Sequence, residues 1–458
     1  MVDYDVFGLN APAFHFTNLL IHLINTCLVF ELLRRRHISP MPAGLCATLW
    51  ACHPLQVESV AWVSERKGLL AAMFCLMLLV TMHGPGRKPT TIVRQAAWYS
   101  LSLASKPAFL LAPLAVAGHR GWRNIGRKWR YAICFIVPAT LTVGMSLFAE
   151  FRIGALDGNL EHFQPRRLLD PVMNLGWYLQ KAAIPFGIPV YRPYRDALGN
   201  RDIFLAGVGS LAILATVLTW KQLPGNSRFG LLSFFLLILP SLGFLRIGAH
   251  STAAKYAYLP LVGLVVFTYA LLAYRTNRRA WTSAAAVAVL IAYSVQTRRQ
   301  LGYWETPEGL WRHTLSCERP GNYVAENNLG SLLLGAGHYD EALEYFDRAL
   351  RWRNNDPVLH YNKGLALFRL DSLSAARDSF ARVLDYRPSE PRALRQIALV
   401  QAKLGDMRQA ISFAKKAVVA DPWSREGYDT LERLYLESDQ PGKARSILGI
   451  RTINIGTE

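Results

Sequence analysis

Four groups of residues in this sequence have types and spacings that could do chemistry. The first is the run His53-Pro54-Leu55-Gln56-Val57-Glu58-Ser59-Val60-Ala61-Trp62-Val63-Ser64-Glu65-Arg66-Lys67, set between two apolar stretches. Glu58 and Arg66 are eight apart, so a helical loop would carry both on one face. A guanidinium grips phosphate bidentately, and a carboxylate accepts a proton or a sugar hydroxyl. The same run also suits a solvated loop with two incidental charges. The second group is Lys106-Pro107, a lone cation in apolar surroundings. It either snorkels to an interface or neutralises an anionic ligand. The third is His15, Asn18, His22 and Asn25, whose 3-4-3 spacing places all four on one helical face. Such a stripe either hydrogen-bonds neighbouring helices or lines a ligand cavity. The fourth is Arg246, His250, Lys255, Tyr256 and Tyr258, a cationic and aromatic cluster suited to a lipid phosphate or to an interfacial belt.

Apolar runs at 13–33, 41–52, 68–82, 131–149, 202–220, 229–245, 257–273 and 280–296 must position these groups, and they read as helices. Several fall short of the roughly 20 residues that a perpendicular membrane crossing takes, so they must tilt or extend into their flanks. Basic clusters at Arg34-Arg35-Arg36, Arg87/Lys88/Arg94, Arg120 through Arg130, and Arg275/Arg278/Arg279 belong on the cytoplasmic side. Loops 53–67 and 246–256 then face outward. Segment 95–117 starts and ends inside, so it should turn back as two short helices with Ser105-Lys106-Pro107 at their tip. Pro107 cannot continue an unbroken helix there.

The 458 residues are 52% hydrophobic, with mean hydropathy +0.15 and net charge +19. Residues 1–300 carry 30 Lys and Arg against 11 Asp and Glu, so the whole excess lies in the hydrophobic part. Its place is in membrane loops, and a basic nucleic-acid-binding tail is excluded. Composition also excludes collagen-like, disulfide-scaffold and wholly disordered classes. The six cysteines form no CxxC pair and no His/Cys ligand spacing, so neither a disulfide framework nor a zinc site is expected.

The tail repeats every 34 residues: Ala342, Ala376, Ala410 and Ala444; Phe346 and Phe380; Gly330, Gly364 and Ala398. Within a unit, Leu329-Gly330, Gly337, Tyr339, Ala342, Phe346 and Ala349 match the tetratricopeptide (TPR) pattern of two packed helices. Three full units are followed by a weaker fourth at 425–450. Stacked in this way they form a groove for peptides or partner helices. The expected architecture is all-α: a polytopic membrane bundle over 1–300, a connector over 301–322, a TPR α-solenoid over 323–450 and a tail over 451–458.

In order and spacing, several of these segments resemble one family over nearly the whole chain. They are Phe7-Gly8-Leu9-Asn10 followed by His15, Asn18, Leu19, Leu20 and His22; the block His53 to Lys67; Ser105-Lys106-Pro107; Tyr256-Ala257-Tyr258-Leu259-Pro260-Leu261; Tyr303-Trp304; and Trp311-Arg312-His313-Thr314. The family is the bacterial relatives of the TMTC proteins, transmembrane and TPR-containing O-mannosyltransferases of the GT-C superfamily. The resemblance implies transfer of a sugar, mannose in this family, from a polyprenyl-phosphate donor to Ser or Thr hydroxyls of exported protein. It implies Glu58 as the catalytic carboxylate, contacting sugar or acceptor, and Arg66, Lys106 and Lys255 as donor-phosphate contacts. His15, Asn18, His22, His53, His250 and Tyr256 would line the cavity. No cofactor beyond the donor lipid is implied, and a divalent metal is left open. The setting would be a bacterial inner membrane, with the TPR groove on the periplasmic side binding the acceptor or a partner protein and no nucleic acid.

Three acidic positions depart from the family pattern. Its main catalytic aspartate lies in the first outer loop after an initial span. This chain starts beyond that point with only Asp3 and Asp5, so an N-terminally truncated member or a misplaced start is expected. Gly68 stands where the family has an acid. The family's His-x-x-x-Asp-Arg-Tyr has become His250-Ser251-Thr252-Ala253-Ala254-Lys255-Tyr256. The alternative is therefore a catalytically inactive, membrane-anchored TPR scaffold that recruits an envelope partner, with a transporter or polysaccharide-assembly component as a third reading.

Overall fold

The computed structural model describes residues 6–8, 10–83, 89–119, 129–152, 168–194, 198–244, 250–275, 279–318 and 321–455. Asp3, Asp5, Arg87, Lys88, the basic run 120–128, Arg246 and Arg278 lie outside the described residues. The chain divides into two units, Met1–Leu310 and Trp311–Glu458.

The first unit runs α1 (Ala11–Arg35), α2 (Pro40–Ala51), a 3-10 turn (Pro54–Gln56), α3 (Val57–Ala61), a second turn (Val63–Glu65) and α4 (Arg66–Met82). It continues with α5 (Pro89–Ser105), a turn (Pro107–Phe109), α6 (Ala112–His119), α7 (Trp129–Arg152), α8 (Asp170–Ala183), β1 (Arg192–Pro193), α9 (Asn200–Thr219) and α10 (Gly225–Ile238). After β2 (His250–Thr252) and a turn (Ala254–Ala257), α11 (Pro260–Arg275) and α12 (Arg279–Gly302) complete it. The two strands pair antiparallel. The apolar runs thus become helices with boundaries close to those expected, except that the run at 229–245 leaves the α-helix after Ile238 for a turn over Leu239–Ser241. Helix α5 stops at Ser105, and Lys106 is extended (φ −163°, ψ 127°) ahead of Pro107. The break proline demands is therefore present.

Close helix contacts rest on missing side chains. A Cβ on Gly176 of α8 would lie 1.9 Å from the Leu205 carbonyl oxygen of α9. Gly230 of α10 and Gly263 of α11 face each other in the same way, each Cβ meeting the other's carbonyl oxygen at 2.5–2.6 Å. Small residues that let backbones touch are the means by which helices associate where surrounding lipid is as apolar as leucine. Among the described residues, α1 and α9 are long and apolar enough to cross a membrane; α11 is apolar but shorter.

The second unit is a run of helix pairs: α14 (Tyr323–Gly335) with α15 (Tyr339–Trp352), α16 (Pro357–Arg369) with α17 (Leu373–Tyr386), α18 (Pro391–Lys403) with α19 (Met407–Ala420), and α20 (Arg425–Glu437) with α21 (Pro441–Ile455). In the first two pairs a glycine receives the ring of the second helix. A Cβ on Gly330 would stand 2.8 Å from Phe346, and one on Gly364 would stand 2.6 Å from Phe380. The third pair puts Ala398 and Ala414 at those positions, both fully buried. The turn between paired helices needs a left-handed residue. Gly337 and Gly405 supply it (φ +87°), while Asp371 and Asp439 take φ 57° and 53° in the other two pairs.

Two stretches differ from the boundaries expected. Residues 301–322 contain α13 (Pro307–Cys317), whose Thr314 and Leu315 are buried, the latter in the cluster around Leu329 and Phe346. The last helix also continues past residue 450 to Ile455.

Candidate functional site

Three stretches distant in sequence meet at one end of the first unit: α3 with the turn that leads into α4, the break after α5, and the turn at 254–257. A small recess there, with room for about one water molecule, is lined by Ser59, Glu65, Gly68, Lys106, Lys255 and Tyr256, with Phe109, Leu237 and Tyr258 among the apolar walls. Lys106 Nζ lies 2.8 Å from Glu65 Oε2, and Lys255 Nζ lies 3.7 Å from Glu65 Oε1 and 3.6 Å from Glu58 Oε1. Lys255 Nζ also stands 4.1 Å above the Trp62 ring, and Lys106 Nζ 5.3 Å from Tyr256, so the electron-rich aromatic faces stabilise both ammonium groups.

Glu58 is buried beneath this surface and does not line the recess. Its Oε2 accepts the Lys255 backbone N–H at 3.2 Å, at the start of the turn at 254–257. Burial pushes its carboxyl up to about 7, against the opposing pull of Lys255, and Glu65 adds to the rise. The carboxylate that reaches the recess is Glu65, which the sequence reading passed over. It sits in the triplet Glu65-Arg66-Lys67, which reads as a solvated charge run, and its partners lie far along the chain.

Arg66 does not join the two lysines. Its Nε donates to Asn18 Oδ1 and its Nη2 to the Phe14 carbonyl and Thr17 Oγ1, all at 3.0 Å, clamping the start of α4 to α1. Glu58 and Arg66 were expected on one face of a helical loop. They part because Trp62 is extended (φ −83°, ψ 109°), so the loop is two short turns and not one helix.

The polar stripe of α1 splits. Asn18 donates to the carbonyls of Val60 and Trp62, and Asn25 to the Leu69 carbonyl and the Tyr258 hydroxyl. His22 Nδ1 lies 2.8 Å from that hydroxyl, and its Nε2 3.3 Å from the Ala51 carbonyl. These three tie α1 to its neighbours, whereas His15 is exposed. His53 caps the turn Pro54–Gln56: Nδ1 accepts the Leu55 N–H and Nε2 faces the Ala182 carbonyl, which assigns the neutral ring with its proton on Nε2. Burial lowers His53 to about 4. His250, on β2 against the Tyr191 ring, is also lowered to about 4, by burial first and then by Lys255. Tyr256 lines the recess, and burial with Glu58 and Glu65 nearby pushes its hydroxyl up to about 12. Among the described residues no group of His, Cys, Asp and Glu could hold a metal ion.

A tetratricopeptide-repeat family profile matches residues 333–404. Over 409 residues the chain is 22% identical to human protein O-mannosyl-transferase TMTC4, a match covering 74% of this chain and 55% of that protein. Mouse protein O-mannosyl-transferase TMTC3 is 19% identical over 97% of this chain and 55% of its own length. The chain is thus homologous, at low identity, to TMTC O-mannosyltransferases, and it spans about half the length of these relatives. Among solved structures, MamA matches 35% of this chain and 92% of its own, with 19% identity and a TM-score of 0.31.

Proposed function

We propose that the first unit is a polytopic membrane domain that transfers a sugar, mannose by homology, from a polyprenyl-phosphate donor to Ser or Thr hydroxyls. The TPR groove binds the acceptor protein. The observation that carries this reading is the convergence of Lys106 and Lys255 on one recess lined by Tyr256, with the Trp62 ring beneath the Lys255 ammonium. Two ammonium groups on an aromatic, largely desolvated surface are suited to the phosphate that leaves as the glycosidic bond breaks. In the reaction the acceptor oxygen bonds to the sugar's anomeric carbon, the bond from that carbon to the phosphate oxygen breaks, and the hydroxyl proton passes to a carboxylate. Glu65 lines the recess and is within reach of an acceptor; Glu58 lies beneath it and orients Lys255. Arg66, engaged with α1, is left out of phosphate binding.

Membrane residence is supported by α9, which leaves Phe204, Leu211, Val217 and Leu218 exposed, and by Leu141, Met145 and Phe148 on α7 and Ile291 and Val295 on α12. Exported substrates and a TPR unit outside the cytoplasm, periplasmic in a bacterial cell, follow from this reading and the positive-inside rule. The second reading, an inactive scaffold that recruits a partner through the repeats, is favoured by Gly68 and Ala254. Neither carries a carboxyl where the resembling family has an acid, and a Cβ on Gly68 would lie 3.6 Å from Lys106 Nζ.

Purified full-length chain in lipid nanodiscs should transfer labelled mannose from a polyprenyl-phosphate donor to a Ser/Thr-rich acceptor. Lys255→Met or Lys106→Met should lower turnover by about a hundredfold, the scale of removing one transition-state charge contact. Wild-type protein that neither binds nor turns over the donor removes the enzyme reading.

A further inference from the structure

We propose that the Glu65 carboxylate is a built-in competitor that holds the donor-phosphate position at rest and is displaced when the phosphate arrives. This rests on the donor-phosphate reading of the recess. Each Glu65 oxygen faces a different ammonium, Oε2 toward Lys106 at 2.8 Å and Oε1 toward Lys255 at 3.7 Å. That is the bridging arrangement two oxygens of one phosphate would adopt between the same cations. With the carboxylate in place the recess has room for about one water, so a phosphate fits only when Glu65 leaves.

The local backbone allows the exchange. Glu65 ends a three-residue turn between extended Trp62 and α4, and its reach to the lysines crosses the face of Gly68. A Cβ on Gly68 would stand 2.7 Å from Glu65 Oε2, so glycine there is what lets the carboxylate lie against Lys106. Lys255 keeps Glu58 as counter-ion when Glu65 moves away. The exchange therefore swaps one anion for another over Lys106 and leaves no buried lysine bare.

Gly68→Ala offers a perturbation independent of deleting the charge, because its methyl meets only the far end of a flexible side chain and pushes the carboxylate aside. Full-length wild type, Glu65→Gln, Gly68→Ala and Lys106→Met in nanodiscs would be titrated with a short-chain polyprenyl phosphate and, separately, with inorganic phosphate. Glu65→Gln and Gly68→Ala should both bind the lipid phosphate about tenfold more tightly than wild type, the scale of one competing charge-assisted contact. Lys106→Met should lose binding. A gain with inorganic phosphate as well assigns the site to the phosphate alone; a gain restricted to the lipid form assigns it to the lipid headgroup, and either supports displacement. If the two variants bind no tighter than wild type while Lys106→Met loses binding, Glu65 is no competitor and the donor site stands. If none of the four proteins binds either probe, both readings fall.

Discussion

Glu58 shows how a single buried carboxyl links the site to pH. Its folded pKa of about 7 lies above the ordinary 4.5, chiefly through burial, with Lys255 and its backbone amide opposing and Glu65 adding. A carboxyl raised on folding binds its proton more tightly in the native state, so its contribution to stability is full below pH 4.5 and is lost as pH rises to 7. The decline amounts to about 3 kcal/mol at 1.36 kcal/mol per pH unit. His53 and His250 act in the opposite sense: both are lowered to about 4, so their contribution is lost as pH falls from 6.5 toward 4. The wild-type profile therefore mixes the two trends, and a variant separates them. Glu58→Gln should match wild type near pH 4 and become the more stable protein by up to about 3 kcal/mol at pH 8. The thermal midpoints of the two proteins in nanodiscs read this directly, and a gap that stays constant across the range excludes it. Glu58 was legible in the sequence as a candidate because it lies between apolar runs, eight residues before Arg66. Its depth was not legible, because that depends on Lys255 and the turn it caps, far along the chain. Glu65 was hidden for the same reason, its neighbours Arg66 and Lys67 giving it the look of a solvated residue.

At the scale of elements, the repeat period was open to reading because each 34-residue unit meets the same packing problem. The paired helices must approach closely, and the chain solves this in two ways: a glycine receiving a phenylalanine in the first two pairs, and Ala398 with Ala414 in the third. The two solutions make a coupled prediction. Gly364→Ala drives a methyl against the Phe380 ring and should cost about 1–3 kcal/mol, while Phe380→Ala leaves a cavity and should cost about 3–5 kcal/mol. Together they recreate the third pair's arrangement, so the double variant should lose less than the sum by at least 1 kcal/mol, roughly the coupling expected of residues in contact. Denaturant unfolding of the repeat unit measures the cycle, and strict additivity would show that the glycine–phenylalanine contact is not what sets this spacing. Helix α13 and the β1–β2 ribbon escaped the sequence reading for contrasting reasons. The helix carries only a few apolar residues, Trp311 and Leu315 among them, too few to make a periodic signal. The ribbon is a two-residue strand with proline, placed by the Arg192 and Thr252 pairing and not by local propensity.

For the molecule as a whole, the first unit has two chemically distinct ends, and its helices carry the chain between them. At one end Arg35 Nη1 donates to the Val80 carbonyl, Arg36 Nη2 to Asn226 Oδ1, and the Arg36 guanidinium stacks 4.4 Å from the Phe229 ring. At the other lie Glu58, Glu65, Lys106 and Lys255. Helix α1 runs from Asn18, beside Trp62 and Arg66, to the arginine end. Helix α4 starts at Arg66 beside the recess and finishes at Met82, with His83 after it against Phe229. Helix α10 returns from Asn226 to Leu237 at the recess, and α11 leaves the recess after Tyr258 and ends at Arg275. Helix α12 comes back: Thr297 donates to the Cys52 carbonyl and Gln300 to the Ile188 carbonyl, near the recess. If Arg34-Arg35-Arg36 and Arg275 hold their end in the cytoplasm, the recess and the end of α12 face outward together. Alkaline phosphatase joined after Gly302 in a bacterial host should therefore be active, and the same enzyme joined after Arg36 inactive. The converse pattern would put the lysine recess in the cytoplasm, out of reach of exported acceptors, and would overturn the transferase reading together with the topology.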